Sequence, residues 1–314
     1  MSYALGLDVG GTKTESVLTD IDGSIIFHSF SKGGNLLDVG FEAGSTRILD
    51  TIKIISDMYP GEIGAICVGA AGNYHFQNQL YDFLRAHTEN AALVVFDDCC
   101  SLLPAVAGHR DGCGMVAGTG SSLFAKVGDV QHHIGGWGYL LDTGGSGYDL
   151  SRDAIVAVLR AEDGRGEQTV LTELLSQRLG GDTYTKIKDI YSGGRVFIAS
   201  LVSTVFEARR LGDSIATQIV DKGIGCLAEL VNTAARYYSD KFPVAVGGGL
   251  FSAFPEYLQL LGEAVTPMAE LMRADVCPVY GCIVEAMLKL GISCNESFRE
   301  NFYSALAQNV PVRL

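Results

Sequence analysis

Two glycine-rich turns, one at the start of the chain and one about a domain's length later, constrain its fold more than any other feature. The first, Asp8-Val9-Gly10-Gly11-Thr12-Lys13-Thr14, follows the apolar run 3–7 and leads into another strand-like stretch and the tight turn Asp22-Gly23. The second, Ala117-Gly118-Thr119-Gly120-Ser121-Ser122, follows Met115-Val116 and leads to the turn Gly128-Asp129 in the same way. One such hairpin fits many folds. Two imply a duplicated α/β unit whose backbone amides approach a polyphosphate from both sides.

At 314 residues, 47% of them hydrophobic, the chain is about two domains long and has enough apolar material for a large core. Lys plus Arg is 23 and Asp plus Glu is 36, a net charge of −13. That balance opposes phosphodiester backbones and anionic lipid, so neither nucleic acid nor membrane is expected as a partner. It does not oppose ATP, since amides and Mg²⁺ act locally. No basic segment followed by an apolar stretch opens the chain, and no run of ~20 apolar residues occurs. None of the eight cysteines forms a C-x-x-C pair. The expected location is the reducing cytoplasm, with buried thiols and an incidental Asn295-Glu296-Ser297 sequon.

Along the chain, strands are expected at 3–9, 13–20 and 24–30, then a helix at 38–57, a strand at 63–69, a helix at 76–87 and a strand at 92–96. The hairpin pattern restarts with strands at 114–118, 121–127 and 130–134. Helices at 147–161, 167–179, 195–210 and 214–239 precede a short strand at 243–246, and helices at 255–272, 281–290 and 295–307 finish the chain. This pattern predicts two related α/β domains, 1–107 and 108–314, with helical insertions in the second. The last helix is allowed to pack back on the first domain, and the join is expected to act as a hinge that opens and closes a cleft.

The first turn is not a Walker loop: Gly6 and Gly11 have the right separation, but Thr12-Lys13 and a strand follow. Gly10 and Gly11 still let amides approach phosphate, Thr12 and Lys13 add a hydroxyl and a cation, and Asp8 is placed to hold Mg²⁺. A plain glycine hairpin with a surface lysine fits the same residues. Gly118, Thr119, Gly120 and Ser121 offer the same chemistry, and Gly247, Gly248 and Gly249 would let a flat adenosine lie on the backbone or simply cap a turn. Asp97-Asp98 ends an apolar strand, where one carboxylate can deprotonate an attacking alcohol. Asp98 is the expected base, with Asp97 pointing away or capping the next helix. Gly135-Gly136-Trp137-Gly138 holds the only tryptophan, near Asp142 and Thr143, and suits a sugar's apolar face or an interface anchor. His132-His133 reads as a surface pair.

These motifs together resemble the sugar kinase/actin/Hsp70 superfamily and, within it, the N-acetylglucosamine kinase (BadF/BadG-like) group, over nearly the whole chain. Residues 8–14 look like the first phosphate motif of that family, Gly118–Ser121 like the second, and 246–250 like the adenosine motif. Phe96-Asp97-Asp98 matches the strand-end catalytic Asp, and 33–35, 69–72 and 135–138 match segments lining an amino-sugar pocket. The resemblance implies two ribonuclease-H-like (actin-like ATPase) domains with mixed five-stranded sheets flanked by helices and a cleft between them. It implies ATP-dependent phosphorylation of a hexosamine, N-acetylglucosamine at the 6-hydroxyl, with ATP and Mg²⁺ as cofactors. Asp98 is then the catalytic base and Asp8 the metal ligand, with Asn35, Gly72, Asp98, Gly136, Trp137, Asp142 and Thr143 at the sugar.

One departure stands out: where the family reads Gly-Asp-Glu-Gly-Ser, this chain has Asp142-Thr143-Gly144-Gly145-Ser146. Asp142 could substitute through a local shift, or the sugar could differ. Two other readings share the fold: an activator-type ATPase that drives a partner protein through an iron–sulfur cluster, and a sugar sensor without turnover. For the first, Cys277 and Cys282 flank Pro278-Val279-Tyr280-Gly281, with no second matching element. An apolar face on a late helix could mark a homodimer interface.

Overall fold

A computed structural model describes residues 2–314 except 77, 89, 109, 129 and 143. Asp129 of the second tight turn and Thr143, an expected sugar contact, lie outside the described residues. The chain forms two compact units, Met1–Arg110 with Ala274–Leu314, and Asp111–Arg273.

The first unit begins with a meander, β1 (Tyr3–Val9), β2 (Lys13–Thr19) and β3 (Ile25–Lys32), whose neighbouring strands are antiparallel. α1 (Leu36–Val39) and α2 (Phe41–Met58) lead to β4 (Ile63–Ala70), which pairs parallel with β1. α3 (Gln79–Arg85) then leads to β5 (Ala92–Phe96), parallel to β4, and α4 (Leu102–Ala107) follows. β1 and β4 are covered on both faces, as parallel strands with helices on each side must be, and they carry almost no polar side chains. The exception is Asp8. On one face Ile48, Ile52 and Ile55 of α2, spaced at three and four residues, pack into the cluster that holds Leu5, Leu7, Ile66 and Val68.

The second unit repeats the meander with β6 (Gly112–Ala117), β7 (Ser121–Val127) and β8 (Val130–Ile134). A helical insertion follows: α5 (Gly147–Glu162), α6 (Leu171–Leu179), α7 (Ile187–Ala199), α8 (Val202–Arg210) and α9 (Ser214–Ala234). β9 (Phe242–Gly247) pairs parallel with β6, and α10 (Gly249–Ala253) and α11 (Pro255–Ala264) lead to β10 (Ala269–Arg273), parallel to β9. The sheet order is β10-β9-β6-β7-β8. Tyr257 of α11 is fully buried against Phe206 and donates to Gly145 O at 2.9 Å, tying the insertion to the loop after β8.

The chain then returns to the first unit as α12 (Pro278–Lys289), α13 (Glu296–Gln308) and β11 (Val312–Arg313). α12 covers the face of the first sheet opposite α2, burying Val279, Cys282, Ile283, Ala286 and Met287 completely. Each larger side chain there contributes about 1.5–3 kcal/mol relative to exposure. Gly6 of β1 makes this approach close: a Cβ there would stand 3.1 Å from Cys282 Cβ and Ile283. Asn295 of the sequon caps α13, its Oδ1 accepting from Phe298 N at 2.9 Å.

Three expectations are corrected. The segment that returns to the first unit is Ala274–Leu314, not the last helix alone, so 108–314 is not one unit. The helix expected at 255–272 ends at Ala264; Thr266-Pro267 interrupts it, and 269–273 form β10 against β9. The first sheet has six strands, β11-β3-β2-β1-β4-β5, because two C-terminal residues extend its edge. Among the described residues, no helix is long and apolar enough to cross a membrane.

Candidate active site

In unit one the strand register gathers carboxylates at one edge. Asp8 of β1 lies opposite Glu15 of β2 and opposite Gly69 of β4, and Gly69 lies opposite Phe96 of β5. The C-terminal ends of the parallel strands therefore present Asp8 and, one step past Phe96, Asp97 and Asp98. Directly opposed like charges are unfavourable, and the consequence is visible at Asp8. Burial, with Asp98 and Glu15 adding to it and Lys13 opposing, pushes its carboxyl up to about 7.

Asp97 and Asp98 do not alternate as strand residues would. β5 ends at Phe96 and the chain turns into a 3₁₀ turn, Asp98–Ser101, so one oxygen from each carboxyl and Cys99 Sγ lie within 4.8 Å of one another. Asp97 makes no capping bond to that turn; its Oδ2 accepts from Tyr74 N at 3.2 Å. Asp98 Oδ1 accepts from Cys99 N at 2.8 Å. Burial raises both carboxyls, Asp97 the further because its hydrogen bond with Asp98 adds to the rise there and opposes it at Asp98. The turn is braced from below. Ser101 Oγ donates to Asp98 O at 2.6 Å, and Gly281 of α12 packs so tightly on Ser101 O that a Cβ there would collide.

Beside these groups the first glycine turn is self-bonded: Gly10 N donates to Lys13 O at 3.0 Å, and Gly34 N to Gly10 O at 3.1 Å. Thr12 and Lys13 are exposed. Lys13 Nζ sits 4.1 Å from the centre of the Phe30 ring and 3.5 Å from Glu15 Oε2. Glu15 Oε1 is also bonded to buried His28 Nε2 at 3.0 Å, a pairing that the sequence reading missed. Asn35 Oδ1 caps α1 by accepting from Leu37 N at 2.9 Å. A Cβ on Gly72 (φ 80°) would come 3.1 Å from that oxygen, so Asn35 and Gly72 do adjoin.

In unit two the second glycine turn is likewise closed on itself, with Gly118 N donating to Gly120 O at 2.8 Å. Gly147 N donates to Gly118 O at 2.8 Å and Tyr148 N to Thr119 O at 3.3 Å. Ser121 Oγ is committed to Gly144 O at 2.7 Å. The turn at Gly247-Gly248-Gly249 adjoins it: a Cβ on Gly248 (φ 103°) would collide with Ala117 O, and one on Gly118 would lie 3.8 Å from Gly249 N. Asp142 Oδ2 accepts from Gly136 N at 2.7 Å and Trp137 N at 3.3 Å, so it shapes the Trp137 turn. Trp137 is 47% exposed and meets His133 edge-on at 4.5 Å. His133 stacks on Phe124 and His132 on Tyr237, so the histidine pair is half-buried aromatic packing and not a surface pair. Sequence reasoning also missed Arg195, whose guanidinium occupies the space that a Cβ on Gly120 would need. The only hint was a glycine pair, Gly193-Gly194, just before it.

A model of the BadF/BadG/BcrA/BcrD ATPase family matches residues 5–286. An N-acetyl-D-glucosamine kinase of Dictyostelium discoideum is 27% identical over 90% of this chain and 97% of its own length. An N-acetylmuramic acid/N-acetylglucosamine kinase of Clostridium acetobutylicum is 29% identical over 83% and 91% respectively. A solved structure from Chromobacterium violaceum, described as a candidate N-acetylglucosamine kinase, superposes with a TM-score of 0.64 at 22% identity, covering 90% of this chain and 98% of that one. At that identity the superposition establishes the fold.

Proposed function

We propose a function from one premise: the chain belongs to the BadF/BadG/BcrA/BcrD ATPase family. On this reading it is an ATP-dependent kinase that phosphorylates a hexosamine, N-acetylglucosamine at its 6-hydroxyl. The names of its relatives support the substrate class. The observation that carries the chemistry is the Asp97–Asp98 pair at the end of β5, two carboxyls close together with Asp97 held by Tyr74 N and Asp98 by Cys99 N.

Asp98 accepts the proton of the attacking hydroxyl, and Asp97 holds its orientation through their shared hydrogen bond. A base in this position gains driving force from a raised pKa, and burial beside a second carboxyl raises Asp98. Asp8 fits Mg²⁺: it is a hard oxygen donor whose repulsion from Asp98 and Glu15 a divalent cation would relieve. Bound there, Mg²⁺ would neutralise charge on the nucleotide phosphates. Phosphate is served on unit one by the turn at Gly10 and Gly11, through Gly11 since Gly10 N is bonded to Lys13 O, and on unit two by the turn at Gly118–Ser121, through residues after Gly118, whose N is bonded to Gly120 O. Because Ser121 Oγ is committed to Gly144 O, its contribution is the amide and not the hydroxyl. Gly247–Gly249 serve the adenosine. Asn35 and Gly72 contact the sugar on unit one, and Gly136 and Trp137 on unit two, where Asp142 also holds the turn.

The activator reading is not favoured. Cys282 is fully buried with its Sγ donating to Leu7 O at 3.2 Å, and Cys277 Sγ faces Glu15 Oε1 at 3.6 Å, so neither thiol is presented for a cluster. Coupled ADP release with Mg²⁺-ATP, across hexoses, N-acetylhexosamines and muramic-acid derivatives, tests the proposal. Stimulation by N-acetylglucosamine is the expected result. Sugar-independent release, or none, would overturn it.

A further inference from the structure

We propose that Arg195 is a nucleotide-binding residue whose guanidinium grips a phosphate oxygen at the Gly118–Ser121 turn; the inference rests on the kinase reading above. Three observations carry it. The first is placement. The α7 helix is broken at Gly194, whose φ of 62° and ψ of −162° no L side chain adopts easily, and the break turns Arg195 onto the glycine turn. Gly120 there has no side chain, and the guanidinium fills the vacant direction.

The second observation is orientation. The Arg195 guanidinium lies 5.7 Å from the centre of the Tyr139 ring, and Tyr139 meets Tyr148 edge-on at 5.1 Å. Tyr148 N is in turn bonded to Thr119 O at 3.3 Å, so the aromatic pair that holds the arginine is anchored to the same turn. An arginine held against an aromatic face keeps its fork of N–H donors directed edgewise.

The third is the missing counter-charge. The chain has 36 acidic residues against 23 basic ones, and other arginines use them: Arg152 pairs with Asp149 and Asp153, Arg210 with Glu256, Arg165 with Asp163. Among the described residues Arg195 makes no ion pair and no hydrogen bond, although acids are abundant. A guanidinium without a carboxylate, beside a turn of backbone amides, is the donor set that a phosphate needs. Stacking on Tyr139 alone would leave it without a ligand, and the two cases separate experimentally.

The experiment measures binding of Mg²⁺-ATP, ADP and adenosine by calorimetry to the full chain and to Arg195→Gln and Arg195→Lys, with thermal melts to confirm folding. KM for ATP and for the sugar is measured in parallel. Arg195→Gln is expected to weaken ATP binding and raise KM for ATP by about tenfold. Adenosine binding and KM for the sugar should stay unchanged, and lysine should restore part of the loss. Unchanged ATP affinity in Arg195→Gln, or an equal loss for adenosine, overturns the assignment while leaving the kinase standing. A wild-type chain that binds no nucleotide overturns both.

Discussion

The turn at Gly10-Gly11 and the turn at Gly118–Gly120 sit in units of the same topology. In each, an antiparallel meander is extended by two parallel strands, β3-β2-β1-β4-β5 in one and β8-β7-β6-β9-β10 in the other. In each, the turn joins the first two strands of the meander and closes on its own backbone. The surroundings differ. Unit one places Asp8, Asp97 and Asp98 at the ends of β1 and β5, with Glu15 beside Asp8; in unit two β6 ends in Val116-Ala117 and β9 in Val246-Gly247. The second turn is flanked by glycine, hydroxyls and Arg195 instead. The scaffold occurs twice, and on the proposed function the strand-end residues assign proton and metal chemistry to one copy and anion holding to the other.

If that division of labour is right, the largest effect belongs to Asp98. Asp98→Asn keeps the shape but removes the proton acceptor, and kcat should fall by about 10²–10⁴-fold with ATP affinity little changed. Near-normal turnover in this variant would mean that unit one does not carry the proton transfer.

The next effect is a pH dependence confined to unit one. Burial, with Asp98 and Glu15 nearby, pushes the Asp8 carboxyl up to about 7 from its ordinary 3.8. Between about pH 4 and pH 7 the native state therefore binds more protons than the unfolded one, and stability falls as pH rises. For Asp8 alone the loss is at most about 4 kcal/mol above pH 7. Melting of the metal-free protein from pH 5 to 8 should show this decline, Asp8→Asn should reduce it, and Mg²⁺ at pH 8 should reverse part of it. A flat profile in the wild type would show that burial and the neighbouring carboxylates do not raise Asp8.

A smaller, purely structural effect is expected in unit two. Gly248 has a φ of 103°, and a Cβ would strike Ala117 O at the end of β6. Gly248→Ala should cost about 1–3 kcal/mol from backbone strain and the enforced shift, and it should weaken adenosine binding because the two glycine turns adjoin. Denaturant unfolding together with adenosine titration checks both. A variant as stable as wild type would show that the turn is looser than its unit-one counterpart.

These differences were only partly legible beforehand. The meanders and the parallel strands follow from short apolar runs punctuated by glycine, a local signal. The return of 274–314 to unit one is not local, since an apolar helix such as α12 carries no mark of which sheet it will cover; only the small side of Gly6, beneath Cys282 and Ile283, records the choice. Asp98 was identifiable from its place after β5, but its relation to Asp97 was not, because side-chain alternation holds only while a strand continues and the chain turns at once. Pro267 did announce the end of α11, yet the apolar periodicity on both sides of it masked the break.

The smallest effect should come from Lys13, the residue whose charge made the first turn look most like a phosphate site. Its ammonium is already engaged by the face of Phe30 at 4.1 Å and by Glu15 Oε2 at 3.5 Å, and its side chain is 59% exposed. An exposed pair of this kind is worth less than about 1 kcal/mol, and turning the ammonium toward phosphate would give up both contacts. Lys13→Ala should therefore raise KM for ATP by only about threefold or less, well under the loss expected at Arg195. The comparison is sharp because both residues are exposed cations beside a glycine turn, and only the one without a carboxylate partner should matter to the nucleotide. A tenfold or larger penalty at Lys13 would reverse the assignment and make the first turn, with its own lysine, the stronger phosphate grip.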